Sequence, residues 1–273
     1  MSATLTGTRT DGRGPAAVRA AFEAAKRENR AAFIGYLPAG FPTRGGFLEG
    51  AAALLKHADM MEVGLPYSDP LGDGPVIQRA AEVALAGGMT VRGTFEAVAA
   101  IRERSPKPLF VMTYFNPILA TGPERFLDLC VQSGLDGLIL PDLPPDEDDA
   151  FRAQAAERGV ALTFLVAPTS TEARIRIVSA ASTGFVYAVS VTGVTGARDL
   201  VNDEVPGLVA GVRRASDTPV AVGFGVSSRE TAARVASSAD GVVVGSALVT
   251  ALEQGPERLS GLAAEIAAGC RAR

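Results

Sequence analysis

Residues 61 to 78 read Met-Glu-Val-Gly-Leu-Pro-Tyr-Ser-Asp-Pro-Leu-Gly-Asp-Gly-Pro-Val-Ile-Gln. The apolar run from Met60 to Leu65 has the length of a strand, and Pro66 stops it. Pro75 sits where proline opens a helix. Between them lies a loop of prolines and glycines that holds Asp69 and Asp73. The stretch is therefore one strand, one loop and one helix in succession. A carboxylate inside a strand, Glu62, is costly unless it is paired or used, and the acidic turn after it can place a second carboxylate over the same strand end.

Working outward, the same unit recurs. Apolar runs of strand length occur at 31–37, 60–65, 109–113, 136–140, 161–166, 184–190, 219–223 and 240–244, and each is followed by at least one segment with helical spacing. The connections are too long for hairpins, so the strands pair in parallel. Eight such units predict an α/β fold, a (β/α)8 TIM barrel. An open doubly wound sheet is the alternative, but no strand leads into a GxGxxG turn with an acid about 20 residues on. Val18, Ala21, Phe22 and Ala25 predict an extra N-terminal helix over Pro15 to Asn29. Residues 1–14 are polar and expected to be disordered, with 15–273 forming a single barrel domain. The longest gaps follow the second and sixth strands. Loops leaving the C-terminal ends of barrel strands build active sites, so the insertions 66–74 and 191–203 should face each other as a lid or partner surface.

Bulk composition excludes several roles. The chain has 273 residues, 47% hydrophobic and 21% charged, with a formal net charge of -4. Without a basic excess there are no counterions to release from phosphates, which argues against nucleic acid. No apolar stretch reaches the roughly 18 residues of a membrane span. Cys130 and Cys270 lie far apart with no CxxC spacing, which reads as two reduced thiols in a cytoplasmic protein.

The turns after the seventh and eighth strands, Gly223-Phe-Gly225-Val-Ser-Ser and Gly245-Ser246, each open a helix. Either glycine serves a tight βα turn as well as it serves a ligand, but the pair lies where barrels bind phosphate. Gly193-Val-Thr-Gly196 can add N–H donors. A Schiff-base mechanism needs a lysine at a strand's C-terminal end, and of Lys26, Lys56 and Lys107 the last precedes its strand. A metal mechanism needs a ligand cluster, and His57 is the single histidine. Carboxylate acid–base chemistry remains. Glu62 shares a strand face with Met60 and Gly64, which directs it into the barrel, where burial raises its pKa; the competing reading is an interior Glu satisfied by a polar network. Asp73 taken alone reads best as an N-cap for the helix at Pro75. Asp69 suits an Asx-turn or a functional role equally. Tyr187 either points inward or is an ordinary strand aromatic. Tyr114, Asn116 and Asp142 fall at the same face.

Glu-Val-Gly-Leu-Pro-Tyr-Ser-Asp-Pro-Leu-Gly-Asp-Gly-Pro-Val-Ile-Gln, Met-Thr-Tyr-Phe-Asn-Pro, Pro-Asp-Leu-Pro, Thr-Gly-Val-Thr-Gly and Gly-Phe-Gly-Val, in this order, closely resemble the tryptophan synthase alpha subunit family from about residue 15 to 270. The resemblance implies retro-aldol cleavage of indole-3-glycerol phosphate to indole and glyceraldehyde 3-phosphate, with no cofactor and no metal on this chain. It implies that Glu62 is the acid/base, Asp73 the carboxylate on the indole N–H and Tyr187 a tyrosine near the catalytic Glu. Gly196, Gly225, Gly245 and Ser246 match phosphate ligands. The loops carrying Asp69 and Thr195 match two mobile loops that meet a pyridoxal-phosphate-dependent beta subunit in an alpha2-beta2 complex, to which indole passes. Gly72 departs from the commoner alanine, which is expected to loosen the loop and leave the chemistry intact. Two other readings stand beside this one: another barrel enzyme acting on a phosphorylated metabolite, such as a phosphoribosyl isomerase, or an idle phosphate-binding subunit that only activates a partner.

Overall fold

The structure, a computed structural model, describes residues 11–189, 205–223 and 225–271. The chain enters through α1 (Pro15–Arg27), which starts at a proline and ends on Lys26 and Arg27, cations that suit the negative end of the helix dipole. Next come β1 (Ala32–Pro38) and α2 (Arg44–Leu54), then β2 (Met60–Gly64) with two helices after it, α3 (Pro75–Ala86) and α4 (Val91–Arg102). β3 (Leu109–Met112) is followed by α5 (Phe115–Thr121) and α6 (Pro123–Gln132), and β4 (Gly137–Ile139) by α7 (Asp149–Glu157). β5 (Ala161–Thr163) and β6 (Leu165–Val166) precede α8 (Glu172–Ala181), and β7 (Val186–Val189) precedes α9 (Val205–Ala215). β8 (Val220–Gly223), α10 (Arg229–Ala236), β9 (Gly241–Val244), α11 (Ser246–Glu253) and α12 (Pro256–Gly269) complete the described chain.

All pairings are parallel, in the order β5-β4-β3-β2-β1-β9-β8-β7-β6. The two ends of that order are the two halves of one run of chain. β5 pairs with β4 and β6 with β7, and at Phe164 between them the carbonyl accepts the Tyr187 N–H at 3.0 Å. The run expected as one strand over 161–166 thus acts as one stave that hands its hydrogen bonds from one neighbour to the other. The sheet closes there into the expected (β/α)8 barrel. Two helices after β2 account for the long gap seen in the sequence. A short helix, α5, was not anticipated, because Pro117 suggests a loop. Pro117 is the third residue of α5, within the first turn, where an N–H has no intrahelical acceptor and its loss costs nothing.

Barrel strands are buried on both faces, which is why they read as continuous apolar runs. Outward residues pack under the helices in one large cluster. Inward residues, among them Ile34, Met60, Phe110, Ile139, Phe185 and Val243, form a second cluster that Val18, Phe22 and Ala25 of α1 join. Phe185 sits at its centre, with ring centroids 5.8 Å from Phe22 and 5.3 Å from Phe110. The N-terminal helix therefore plugs the floor and leaves the opposite end as the mouth.

Beside that floor, fully buried Asp136 ties three segments together. It accepts the N–H of Gly14 at 3.0 Å and of Leu109 at 2.9 Å, and it pairs with Arg102 of α4. Disorder was expected over residues 1–14; residues 1–10 lie outside the described residues, while Arg13 donates to the Pro106 carbonyl and Gly14 to Asp136. Asp136→Ala would leave a nearly buried guanidinium and two backbone donors unmatched, and should cost about 3–5 kcal/mol, read as a lower denaturation midpoint in urea with an unchanged slope.

Candidate active site

On β2 the inward positions are Met60, Glu62 and Gly64. Met60 belongs to the interior cluster, and period-two alternation sets Glu62 one layer above it. In register, Glu62 has Tyr36 of β1 on one side and Phe110 of β3 on the other. It is 1% exposed, and its Oε1 has no hydrogen-bond partner among the described residues. Burial alone pushes its carboxyl up to about 8, since the charged form would lose its water with nothing opposite to replace it. At neutral pH Glu62 is a protonated acid inside the barrel.

Asp73 approaches from the loop after β2 and is 8% exposed. Burial pushes it up to about 6, and a hydrogen bond with the Tyr114 hydroxyl holds it below where burial alone would put it. At pH 7 it is mainly an anion. The reading of Asp73 as a helix cap is corrected: Gly74 is the N-cap of α3, and no side chain caps it. The Asp73 side chain is thereby left to the cavity.

The loop is held in place from β3 and α5. The Tyr114 hydroxyl accepts the Gly72 N–H at 2.9 Å, and the Tyr114 ring packs on Tyr67 with centroids 5.6 Å apart. Asn116 Nδ2 donates to the Tyr67 hydroxyl at 2.9 Å, and Gln78 Nε2 donates to the Asp73 carbonyl at 2.8 Å. The first N–H of α5, at Phe115, donates to both Asp142 oxygens, at 2.9 and 3.0 Å. Asp142, expected at the active face, thus anchors the helix that anchors the loop.

Tyr187 on β7 points inward, not to solvent: it is 7% exposed and joins the interior cluster. Its hydroxyl rests over Gly223 of β8, where a Cβ would stand 2.3 Å away. Tyr36 does the same on the other side, its hydroxyl 2.1 Å from where a Gly64 Cβ would be. A side chain at either glycine would displace the phenol. Burial first, and then the carboxyls of Asp73 and Glu62, raise both phenols well above their ordinary range, so both remain neutral hydroxyls. Tyr36 was not among the residues singled out from sequence. Ala32, Ile34 and Tyr36 share a strand face, but only strand register shows that this face meets Glu62.

Across the mouth, β8 and β9 are neighbours, so the turns that follow them lie side by side. Gly225 adopts a positive φ of 79°. The Ser228 hydroxyl nearby is engaged with Thr231 as a capping box for α10. Gly245 is the N-cap of α11 and has no side-chain cap, so the first N–H groups from Ser246 onward, which have no intrahelical acceptor, face outward at the positive end of the helix dipole. Gly196 and Thr195 lie outside the described residues, as does the expected pairing of their loop with 66–74. Asp69 is exposed beside Leu71, which is 90% exposed, and accepts a hydrogen bond from Ser68. The structure thus brings Glu62, Asp73, Tyr187 and Tyr36 around one space and leaves Asp69 on the rim. Among the described residues, no group of three or more His, Cys, Asp or Glu side chains could hold a metal ion, and no helix is long and apolar enough to cross a membrane.

Fold and site together describe a parallel (β/α)8 barrel enzyme with two buried carboxyls, Glu62 and Asp73, at the mouth of the barrel. The tryptophan synthase alpha chain family model matches residues 22–272. The tryptophan synthase alpha chain of Deinococcus radiodurans is 54% identical over 260 residues, covering 95% of this chain and 96% of that one. That of Mycobacterium marinum is 50% identical, covering 92% and 94%. A solved tryptophan synthase structure from Mycobacterium tuberculosis superposes with a TM-score of 0.89 at 48% identity, covering 93% of this chain and 98% of that one. The chain belongs to the tryptophan synthase alpha chain family.

Two measurements probe the electrostatics. The folded chain holds the Glu62 proton more tightly than the unfolded chain does, so Glu62 lowers stability as pH rises from 4.5 to about 8. Glu62→Gln should therefore melt higher than wild type above that window, by a few kcal/mol of stability, and the gain should shrink toward acid pH. Tyr114→Phe removes the hydroxyl that favours the Asp73 anion, and should raise the Asp73 titration midpoint as followed by carboxyl NMR.

Proposed function

We infer that this chain cleaves indole-3-glycerol phosphate to indole and glyceraldehyde 3-phosphate, with Glu62 and Asp73 as the two working carboxyls. The observation that carries the reading is two buried carboxyls in unlike surroundings, Glu62 with an unpartnered Oε1 on its strand and Asp73 beside the Tyr114 hydroxyl on its loop, which favours a protonated Glu62 and an ionised Asp73 at neutral pH. Indole leaves as a neutral ring only after its C3 is protonated. Glu62 gives that proton, and the positive charge that forms on the indole nitrogen side is held by the Asp73 carboxylate. Glu62, now an anion, takes the proton from the hydroxyl on the carbon bonded to the ring. That carbon becomes the aldehyde as the bond to C3 breaks, and the bonding electrons return to the indole ring. Glu62 ends the cycle protonated, as it began.

The remaining residues fall into place around this step. Tyr187 lines the cavity beside Glu62 and contacts substrate there. Gly225, Gly245 and Ser246, with Gly196 from the loop after β7, hold the phosphate through backbone N–H groups and the dipole of α11. This chemistry calls for neither a metal nor a cofactor on the chain itself. The partner is the tryptophan synthase beta subunit, expected to carry pyridoxal phosphate and to receive the indole within an alpha2-beta2 complex. Exposed Asp69 and Leu71 and the Thr195 loop are the surface offered to it. The chain acts as one cytoplasmic barrel domain over residues 15–273.

Indole release from indole-3-glycerol phosphate, measured with the purified chain and then with beta subunit added, should show slow turnover that the partner accelerates; no indole in either case would overturn the assignment. Glu62→Gln and Asp73→Asn should each lower indole production by roughly 10² or more. Near wild-type turnover in either variant, with substrate bound normally, would remove that residue from its role.

A further inference from the structure

Tyr36 has no part in the steps above, yet it stands between the two ends of the site. Its ring is beside Glu62 in register, and its hydroxyl lies over Gly64 at the end of the same strand. The other edge of the ring borders the anion seat: a Cβ at Gly245 would stand 3.6 Å from Tyr36 Cδ1. The residue thus forms the wall that runs from the N-terminus of α11 to the acid pair. The residue is 6% exposed and its hydroxyl stays neutral, so it can both donate and accept.

A substrate with its phosphate at Gly245 and Ser246 and its ring between Glu62 and Asp73 must lay its three-carbon chain along this wall. Two hydroxyls on that chain then pass the Tyr36 phenol. We propose that Tyr36 is a specificity-determining residue whose hydroxyl hydrogen-bonds a hydroxyl of the substrate's three-carbon chain, so that the site selects a hydroxylated chain over a plain alkyl chain of equal length. The proposal rests on the assignment of indole-3-glycerol phosphate as substrate and adds to it the group that recognises the middle of the molecule. Phenylalanine at this position would supply the same wall without the selection.

The test uses the chain in complex with the beta subunit and two ligands: indole-3-glycerol phosphate as substrate, and 3-(indol-3-yl)propyl phosphate, which has the same ring, length and phosphate but no chain hydroxyls, as inhibitor. In Tyr36→Phe, kcat/KM for the substrate should fall about ten-fold, while the inhibition constant of the propyl compound stays within about two-fold of wild type. That undiminished inhibition is also the check that the variant's cavity is intact. Equal loss for both ligands, or no loss for either, would overturn the proposal. An independent arm needs no variant: wild type should bind the substrate more tightly than the propyl phosphate, and equal affinity would also overturn it. A wild-type complex that releases no indole would instead sink the substrate assignment itself, so the two failures are distinguishable.

Discussion

The site depends on the cost of charging a carboxyl inside the barrel. Glu62 is surrounded by the Tyr36 and Phe110 neighbours of its strand and by the Met60 layer beneath it, and none of these can stabilise an anion as water does. The same burial that makes the barrel stable makes this acid weak. A group poised this way holds its proton at neutral pH, which suits the proposed reaction, in which Glu62 first protonates a carbon and then takes a proton back. The protein carries that cost in stability at the pH where it works, a trade common at functional sites.

In the proposed reaction Asp73 needs the opposite state, and its surroundings differ accordingly. It arrives on a loop rather than a strand, and a phenol donates to it. Keeping the two carboxyls unlike is a matter of which element brings each of them. The loop in turn is only as well placed as its anchors. Tyr114, Asn116 and Gln78 hold it, and Asp142 holds the helix on which Asn116 stands. A chain of short hydrogen bonds therefore runs from the turn after β4 to the acid over β2. These contacts explain why polar residues cluster at the ends of β3 and β4.

Much of this was legible in the residues. The repeated strand and helix periods predicted the barrel, the extra N-terminal helix and the lengthened connection after the second strand, because parallel strands buried on both faces must be apolar throughout and joined by helices. The lone charge in the second strand marked Glu62 for the same reason. Other features were hidden. Asp73 read as a cap because caps are local, and its true surroundings, Tyr114 above all, come from the turn into α5, beyond the next strand in the chain. Helix α5 was missed because proline is a breaker everywhere except in a helix's first turn. Tyr36 was passed over because an inward tyrosine is unremarkable until its neighbour is known.

What the sequence by itself determined is the period, the apolar faces and the presence of a carboxylate where none is cheap, since these follow from local chain geometry and the cost of dehydrating charge. What only the tertiary structure decided is which residues meet. Closure of the sheet through the shared stave at Phe164 sets the register, and register puts Tyr36 beside Glu62 and lays Tyr187 over Gly223. Those meetings depend on distances between strands far apart in the chain, and no local pattern encodes them.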